Sequence, residues 1–303
     1  MSIRWSRATK ARSTTENSRW NQASTGKLKS CPASFPPLGG VAAPPVFIKH
    51  RNPERELFID AVTLPSRAIL LDVDGTILDL APTPLEVVVP PDLTVALERL
   101  SKRVGGALAF VSGRPLAELD LFFTPLKLPS IAVHGAELRL GDGTVRRSTT
   151  FLDPALKAEL ASIADDKPGV VIEDKGYSIA VHYRLAPHLG HEVRDEVSAV
   201  CARFTSARLE ILPGKSVVEV KQPSFNKGTA VRDLMQHEPF KGRKPIFIGD
   251  DVTDEAAFEV MPEFDGTGFS VGRHVEGIAG TFETPTDVRR WIAEMVRGGR
   301  EKR

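Results

Sequence analysis

The chain has few of the features on which secreted, membrane-spanning and nucleic-acid-binding proteins depend. Only two cysteines, Cys31 and Cys201, occur in 303 residues, too few for a disulfide framework. No apolar run approaches the ~20 residues that cross a bilayer, and the start lacks the apolar centre of a secretory signal. The net charge of +1 gives no sign of a polyanionic partner. We therefore expect a cytoplasmic protein that binds neither membrane nor nucleic acid.

The first fifty residues differ in composition from the rest. Seven basic residues between Arg4 and Lys29 accompany a single acid, Glu16, and a proline-rich stretch follows from Pro32 to Pro45. This composition predicts a disordered basic tail over residues 1–60. A start that is rich in Arg and Ser and poor in acids is also typical of an organellar transit peptide, so an organelle is the alternative location. A nucleic-acid-binding tail is a third interpretation, and it requires salt-sensitive binding that deletion of residues 1–50 abolishes.

Beyond residue 60, short apolar segments alternate with amphipathic helical segments, which favours a parallel sheet covered on both faces. The predicted strands of this sheet are residues 68–71, 107–111, 130–133 and 245–248. The middle of the chain instead contains two predicted hairpins around one helix, which indicates a compact α+β unit. The sequence therefore predicts an α/β core made of residues 61–141 and 223–303. Residues 142–222 would form an inserted α+β cap that closes over the strand ends.

Two acidic segments directly follow predicted strands of the core. They are Asp72-Val73-Asp74-Gly75-Thr76 and Gly249-Asp250-Asp251-Val252-Thr253-Asp254. The carboxyl ends of such strands line the ligand crevice of open α/β sheets. Carboxylates crowded there repel one another and lose hydration, which requires a bound cation or shifted protonation. The pattern predicts a hard divalent cation held by Asp72 and Asp250, and phosphoryl transfer as the chemistry. An Asx turn after the first strand and a helix cap at Asp251 are the structural alternatives.

Two further polar residues complete a consistent catalytic set. Ser112 ends another predicted strand, and Lys227 opens a predicted helix. A nucleophile, a metal site, a hydroxyl donor and a phosphate-binding cation together are what phosphoryl transfer requires. The recurrence of such residues at the ends of several elements favours a functional site over coincidence.

These residues resemble, in order, the four motifs of the haloacid-dehalogenase (HAD) phosphatase superfamily, and the finer pattern is similar to the trehalose-6-phosphate phosphatase family. The segments that carry the finer resemblance are Val111-Ser112-Gly113-Arg114, His134-Gly135-x-Glu137, Glu173-Asp174-Lys175, Ser178-x-Ala180-Val181-His182-Tyr183-Arg184, Gly214-Lys215, Glu219-x-Lys221, Asn226-Lys227-Gly228 and Gly249-Asp250-Asp251-x-Thr253-Asp254-Glu255-x-x-Phe258. The resemblance covers residues 66–295. One departure is Val73, where many members carry an aromatic residue.

The resemblance implies a Rossmann-like HAD core with a cap, and a Mg²⁺-dependent phosphatase that forms an aspartyl-phosphate and releases trehalose. Asp72 would be the nucleophile, Asp74 the general acid and base, and Ser112 and Lys227 would bind phosphate. Asp254 would orient Lys227. The magnesium ligands would be the carboxylates of Asp72 and Asp250 and the main-chain carbonyl of Asp74.

The resemblance also suggests which residues bind the substrate. The predicted substrate-binding residues are Thr76, Arg114, His134, Glu173, Lys175 and Glu219. Charges of both signs at the tip of a lid hairpin suit a polyhydroxylated ligand. Two alternatives stay open: Arg114 could pair with a local acid instead of reaching substrate, and His134 could be a structural histidine.

Other functions remain compatible with the sequence. A related phosphatase could act on another phosphorylated disaccharide or glycosyl compound, such as sucrose phosphate or mannosylglycerate phosphate. A sugar-phosphate sensor could keep the fold without catalysis, although the retention of Asp72 and Asp74 argues against it. We expect a monomer, with a trehalose-phosphate synthase as the protein partner that the resemblance suggests.

Overall fold

The computed structural model describes residues 64–297. The predicted basic tail, with its transit-peptide and nucleic-acid-binding alternatives, lies outside the described residues. The strands are β1 (Arg67–Leu71), β2 (Leu108–Val111), β3 (Ser130–Ala132), β4 (Glu137–Arg139), β5 (Val145–Arg147), β6 (Val171–Asp174), β7 (Ser178–His182), β8 (Glu210–Gly214), β9 (Val217–Lys221), β10 (Lys244–Gly249), β11 (Thr267–Val271) and β12 (Gly280–Phe282). The α-helices are α1 (Pro91–Arg103), α2 (Leu116–Phe122), α3 (Pro154–Ser162), α4 (Gly190–Arg203), α5 (Lys227–Leu234), α6 (Glu255–Val260) and α7 (Pro285–Arg297).

The larger sheet has eight strands in the order β12-β11-β10-β1-β2-β3-β4-β5. Its six strands from β12 to β3 are parallel, and the hairpin of β4 and β5 adds an antiparallel edge. Strands β1 and β10 pair in register, with Leu71 opposite Ile248. Both are continuous apolar runs because a parallel sheet covered by helices buries both of its faces. The pairing brings the carboxyl ends of β1 and β10, and the acidic segments that follow them, to one edge of the sheet.

Helices cover this sheet with apolar stripes. In α1, Leu93, Leu97 and Leu100 recur at helical spacing and are buried against the sheet. In α7, Val288 and Ile292 do the same. None of the helices between residues 64 and 297 has both the length and the apolar content needed to span a membrane.

The smaller sheet is antiparallel, with the strand order β6-β7-β9-β8. One face of it packs on α3 and α4 through Ile179, Val181, Val218 and Val220. Since side chains alternate across a strand, the opposite face carries Glu219 and its neighbours. The smaller sheet with α3 and α4 is the lid of the following sections, and its polar face contributes to the candidate site.

The fold class predicted from the sequence is confirmed, since a mainly parallel sheet with helices carries an inserted α+β unit. The exact boundaries of the predicted cap, 142–222, stay a prediction. Strand β5 falls inside that interval but pairs with β4 in the larger sheet. Strands β11 and β12 were not predicted from the sequence.

Candidate active site

Three aspartates form a cluster at the carboxyl ends of β1 and β10. Oxygen atoms of Asp72, Asp250 and Asp254 lie within 4.8 Å of one another, and all three residues are buried; we call these residues the acid cluster. Gly75 has φ of +80°, and a Cβ there would lie 2.2 Å from Asp250 Oδ2. Only glycine therefore allows the chain after β1 to turn this close to the second aspartate.

Lys227 supplies the positive charge inside the acid cluster. Asn226 caps α5 in a capping box with Thr229, which places Lys227 at the first helical position. Its Nζ lies 2.8 Å from Asp72 Oδ1 and 2.6 Å from Asp254 Oδ1. Burial opposes the charge of Lys227, but Asp254 and Asp72 outweigh burial and raise its pKa. The ammonium group is therefore fixed beside the predicted nucleophile.

Asp254 stabilises the loop after β10 through hydrogen bonds to its backbone. Its Oδ2 accepts hydrogen bonds from the backbone N–H groups of Asp250 and Asp251, both at 2.9 Å. Its Oδ1 is taken by Lys227. Asp254 is fully buried and does not line the cavity, so it orients its neighbours without facing a ligand.

Burial disfavours the charged form of the two other members of the acid cluster, Asp72 and Asp250. Burial raises the pKa of Asp72, and the charges of Asp254 and Asp250 add to this while Lys227 opposes it. Burial also raises the pKa of Asp250. The Thr76 hydroxyl lies 3.0 Å from Asp72 Oδ2 and 3.3 Å from Asp250 Oδ1. Thr76 is fully buried and does not line the cavity, so it lies beneath the carboxylates, and its contact with substrate stays a prediction.

Asp74 lies at the cavity and is held by Arg114. The guanidinium donates from Nε to Asp74 Oδ2 at 2.6 Å and from Nη2 to Asp74 Oδ1 at 2.7 Å. The Asp74 side chain is 28% exposed, while that of Arg114 is buried. Ser112 Oγ accepts a hydrogen bond from the backbone N–H of Arg114 at 3.1 Å. Of the two alternatives for Arg114, the structure shows pairing with a local acid, at the wall of the cavity.

A second group of charges lines the lid side of the cavity, and we call Glu173, Lys175 and Glu219 the lid cluster. Lys175 Nζ lies 2.9 Å from Glu219 Oε2 and 3.9 Å from Glu173 Oε2. Ser178 donates to Glu219 Oε1 at 2.5 Å, and His182 Nε2 lies 2.9 Å from Glu173 Oε2. Burial alone would raise the pKa of Glu219, yet Lys175, His134 and Ser178 together outweigh it and the pKa falls well below the ordinary value.

The lid and the larger sheet meet through three polar contacts. His134, which follows β3, lies with Nε2 3.1 Å from Glu219 Oε2. Lys215, between β8 and β9, lies with Nζ 2.5 Å from Asp250 Oδ2. Arg184 donates to the carbonyl oxygen of Ala81. These contacts join the two walls of the cavity across the site.

Lys215 and Arg184 were not predicted as site residues, although both lie in segments that carry the family resemblance. The only local signal was the Pro213-Gly214 turn, which places Lys215 at the tip of a lid hairpin. Most of the predicted residues do share one cavity. Those that line it are Asp72, Asp74, Ser112, Arg114, His134, Glu173, Lys175, Glu219, Lys227 and Asp250.

Comparison with known proteins gives a consistent result. The family model described as trehalose-phosphatase matches residues 70–282. A Sinorhizobium fredii protein named probable trehalose-phosphate phosphatase is 42% identical over 246 residues, covering 80% of this chain and 90% of the relative. The Escherichia coli trehalose-6-phosphate phosphatase is 34% identical over 242 residues, covering 78% and 89% respectively.

A solved structure shows the same fold. The C-terminal domain of C. albicans trehalose-6-phosphate phosphatase superimposes with a TM-score of 0.68 at 20% identity. The match covers 79% of this chain and 97% of that domain. At this identity the likeness supports the arrangement of the core and the lid, and nothing finer.

Proposed function

Because the chain belongs to the trehalose-phosphatase family and is therefore a phosphatase, we propose that it hydrolyses trehalose 6-phosphate to trehalose and phosphate with Mg²⁺ as cofactor. The observation that carries this proposal is the pairing of two unlike walls in one cavity. One wall holds the acid cluster with Lys227, and the other holds the lid cluster. The first suits a phosphoryl group and a cation, and the second suits the hydroxyl groups of a sugar.

The residues of the acid cluster fit a magnesium ion. Magnesium prefers hard oxygen ligands, and Asp72 and Asp250 present buried carboxylates whose raised pKa shows that burial disfavours their charge. The close approach of Asp250 to Gly75 leaves no room for a larger residue beside these oxygens. Asp72, Asp250 and the main-chain carbonyl of Asp74 would hold the ion. When bound, it would neutralise charge on the transferred phosphoryl group.

Asp72 would attack phosphorus and form an aspartyl-phosphate, which divides one difficult displacement into two easier ones. The P–O bond to the sugar breaks as the bond to the Asp72 oxygen forms. Lys227, fixed beside Asp72, and Ser112, which lines the same cavity, would contact the phosphoryl oxygens and stabilise their charge. Water then hydrolyses the aspartyl-phosphate and restores Asp72.

Asp74 would donate a proton to the departing sugar oxygen and then accept one from the hydrolytic water. Its position supports both steps, because it lies on the cavity wall beside the nucleophile and is partly exposed. Arg114 holds both of its oxygens in one orientation. A carboxylate fixed in this way is pre-organised for proton transfer.

The lid cluster would hold the sugar. Lys175 supplies donors, while Glu173 and Glu219 supply acceptors, so that hydroxyl groups of either orientation find partners. Substrate entry requires that the lid moves, because His134–Glu219 and Lys215–Asp250 link the two walls. A monomeric enzyme, and a trehalose-phosphate synthase as its partner, remain proposals that follow from the family.

The test is phosphate release from a panel of sugar phosphates that includes trehalose 6-phosphate, sucrose phosphate and mannosylglycerate phosphate. We expect trehalose 6-phosphate to be strongly preferred, and Asp72→Asn to lower kcat at least ~1000-fold because the nucleophile is lost. Excess chelator should stop turnover, and a trapped phosphorylated adduct should map to Asp72. Equal turnover of several substrates would favour the broader glycosyl-phosphate specificity. Binding without turnover in the wild type would favour the sensor.

A further inference from the structure

We propose that Glu118 is a positioning residue for Asp74 and acts through Arg114. The inference rests on the proposed function, because it concerns the residue that transfers the proton in that reaction. Glu118 is buried in the first turn of α2 and does not line the cavity, so it has no contact with substrate. Glu118 is connected to the chemistry by its hydrogen bond to the guanidinium group that also holds Asp74.

The guanidinium of Arg114 is held on each of its edges. Nη1 donates to Glu118 Oε2 at 2.9 Å, on the opposite side from the two bonds to Asp74. Nη2 also donates to the carbonyl oxygen of Pro84 at 3.0 Å. The ring of Phe122 lies under the group, with 4.6 Å between the guanidinium carbon and the ring centroid. The side chains of Arg114 and Glu118 are 7% and 6% exposed.

Glu118 fixes the orientation of the Arg114 guanidinium group. A planar guanidinium can meet both oxygens of a carboxylate only when it is rotated correctly, and the long arginine side chain does not fix that rotation itself. The aromatic contact with Phe122 is not directional enough to do so. Glu118 binds the far edge of the group through a charge-assisted hydrogen bond. It thereby sets the angle at which Arg114 presents its near edge to Asp74.

The placement of α2 explains why Glu118 can do this. Arg114 lies two residues before α2 and Glu118 lies in its first turn, so the 2.9 Å salt bridge between them joins the loop after β2 to the helix. Burial raises the pKa of Glu118, and the nearby charge of Glu173 raises it further. The helix therefore fixes the carboxylate that anchors the guanidinium of Arg114.

The test compares two leaving groups in the full-length protein. Trehalose 6-phosphate loses an alkoxide that needs a proton, whereas p-nitrophenyl phosphate loses a stable phenolate that does not. In Glu118→Ala we expect kcat/KM, which reports phosphoryl transfer to Asp72 and not the later hydrolysis in which Asp74 serves both substrates, to fall about tenfold or more for trehalose 6-phosphate and to change less than about threefold for p-nitrophenyl phosphate. Glu118→Gln, which keeps an acceptor oxygen for Arg114, should recover part of the loss.

Two further variants serve as the positive and the negative control for this measurement. Asp74→Asn should show the same substrate-selective loss to a larger extent. Glu98→Gln removes an exposed glutamate of another i,i+4 pair, with Lys102, far from the cavity, and should match the wild type. A crystal structure of Glu118→Ala should show the guanidinium turned away from Asp74.

Equal losses on both substrates would indicate a merely structural role, and unchanged kinetics or an unchanged Arg114–Asp74 geometry in Glu118→Ala would also overturn the proposal. Failure of the proposed function would give a different result in the same assay. In that case the wild type itself would release no phosphate from any sugar phosphate, whereas failure of this inference alone leaves an active wild type.

Discussion

The acid cluster and the lid cluster face the same cavity, are similarly buried, and are built from the same kinds of side chain. They differ in how charge is distributed. In the acid cluster Asp72 and Asp254 share Lys227, while Asp250 pairs with Lys215 from the lid. In the lid cluster two glutamates share Lys175, and His134 and His182 each contact one glutamate.

This difference appears in the pKa values. Burial raises the pKa of Asp72 and that of Asp250, and neighbouring carboxylates add to the effect. In the lid cluster burial acts in the same direction, but Lys175 and the neighbouring histidines together outweigh it and lower the pKa of Glu219 and that of Glu173. The cost of burial is therefore offset at the lid carboxylates but not at Asp72 and Asp250. This contrast supports the proposal that the first wall holds magnesium and phosphate and the second a neutral sugar.

The largest expected effect on stability comes from removing one carboxylate charge from the lid cluster. Glu219→Gln leaves Lys175 as a buried cation that has lost its closer carboxylate partner. We expect the free energy of unfolding to fall by about 2–3 kcal/mol, measured by urea unfolding at neutral pH. The control is Glu159→Gln, which removes one member of an exposed pair with Arg203 and should change stability little. A Glu219→Gln protein as stable as this control would contradict the assignment of a tightly coupled lid cluster.

Supplying the cation that the acid cluster needs should have the next largest effect. At a Mg²⁺ concentration about ten times Kd, the wild type should gain about 1.4 kcal/mol of stability, because the ion binds only the folded chain. Asp250→Asn removes a proposed ligand, so the gain should disappear, whereas Glu219→Gln should retain it. Urea unfolding with magnesium and with chelator measures both. Equal magnesium stabilisation in Asp250→Asn and the wild type would exclude Asp250 as a ligand.

Much of the acid-cluster wall could be predicted because its determinants are local. Strands buried on both faces are continuous apolar runs, so β1 and β10 and the acids after them were evident from the sequence. The alternation of Ile179 and Val181 with polar residues likewise indicated β7. Strand β12 has only three residues, and β11 contains Gly268, so neither gives a clear periodic signal.

Contacts between segments that are distant in the chain could not be predicted from the sequence. The approach of Lys215 to Asp250 depends on how the lid docks on the larger sheet, and no local pattern encodes that distance. Thr76 was predicted to bind substrate, but the tight turn at Gly75 buries it beneath the carboxylates, and its predicted contact with substrate stays untested. For Arg114 the sequence left two alternatives, and only the fold shows that Asp74 is its partner.

The smallest expected effect is on the pH dependence of stability in the metal-free protein. The two clusters should change this dependence in opposite directions. The pKa of Glu219 in the folded state lies below its ordinary value of 4.5, so its contribution is complete above about pH 4.5 and is lost as the pH falls through the folded-state pKa. The pKa of Asp72 is raised above 3.8, so its contribution is complete below that pH and is lost as the pH rises through the raised pKa.

Glu219→Gln should therefore flatten the acid side of the stability curve below about pH 4.5, and Asp72→Asn should flatten the decline toward neutral pH. Each change should amount to no more than about 1.4 kcal/mol per pH unit, since one proton is involved. Urea unfolding between acid and neutral pH, with chelator present, measures both slopes, and Glu159→Gln again serves as the control. If both variants altered the same side of the curve, the two walls would not carry opposite charge environments, and magnesium would have no electrostatic reason to prefer the acid cluster.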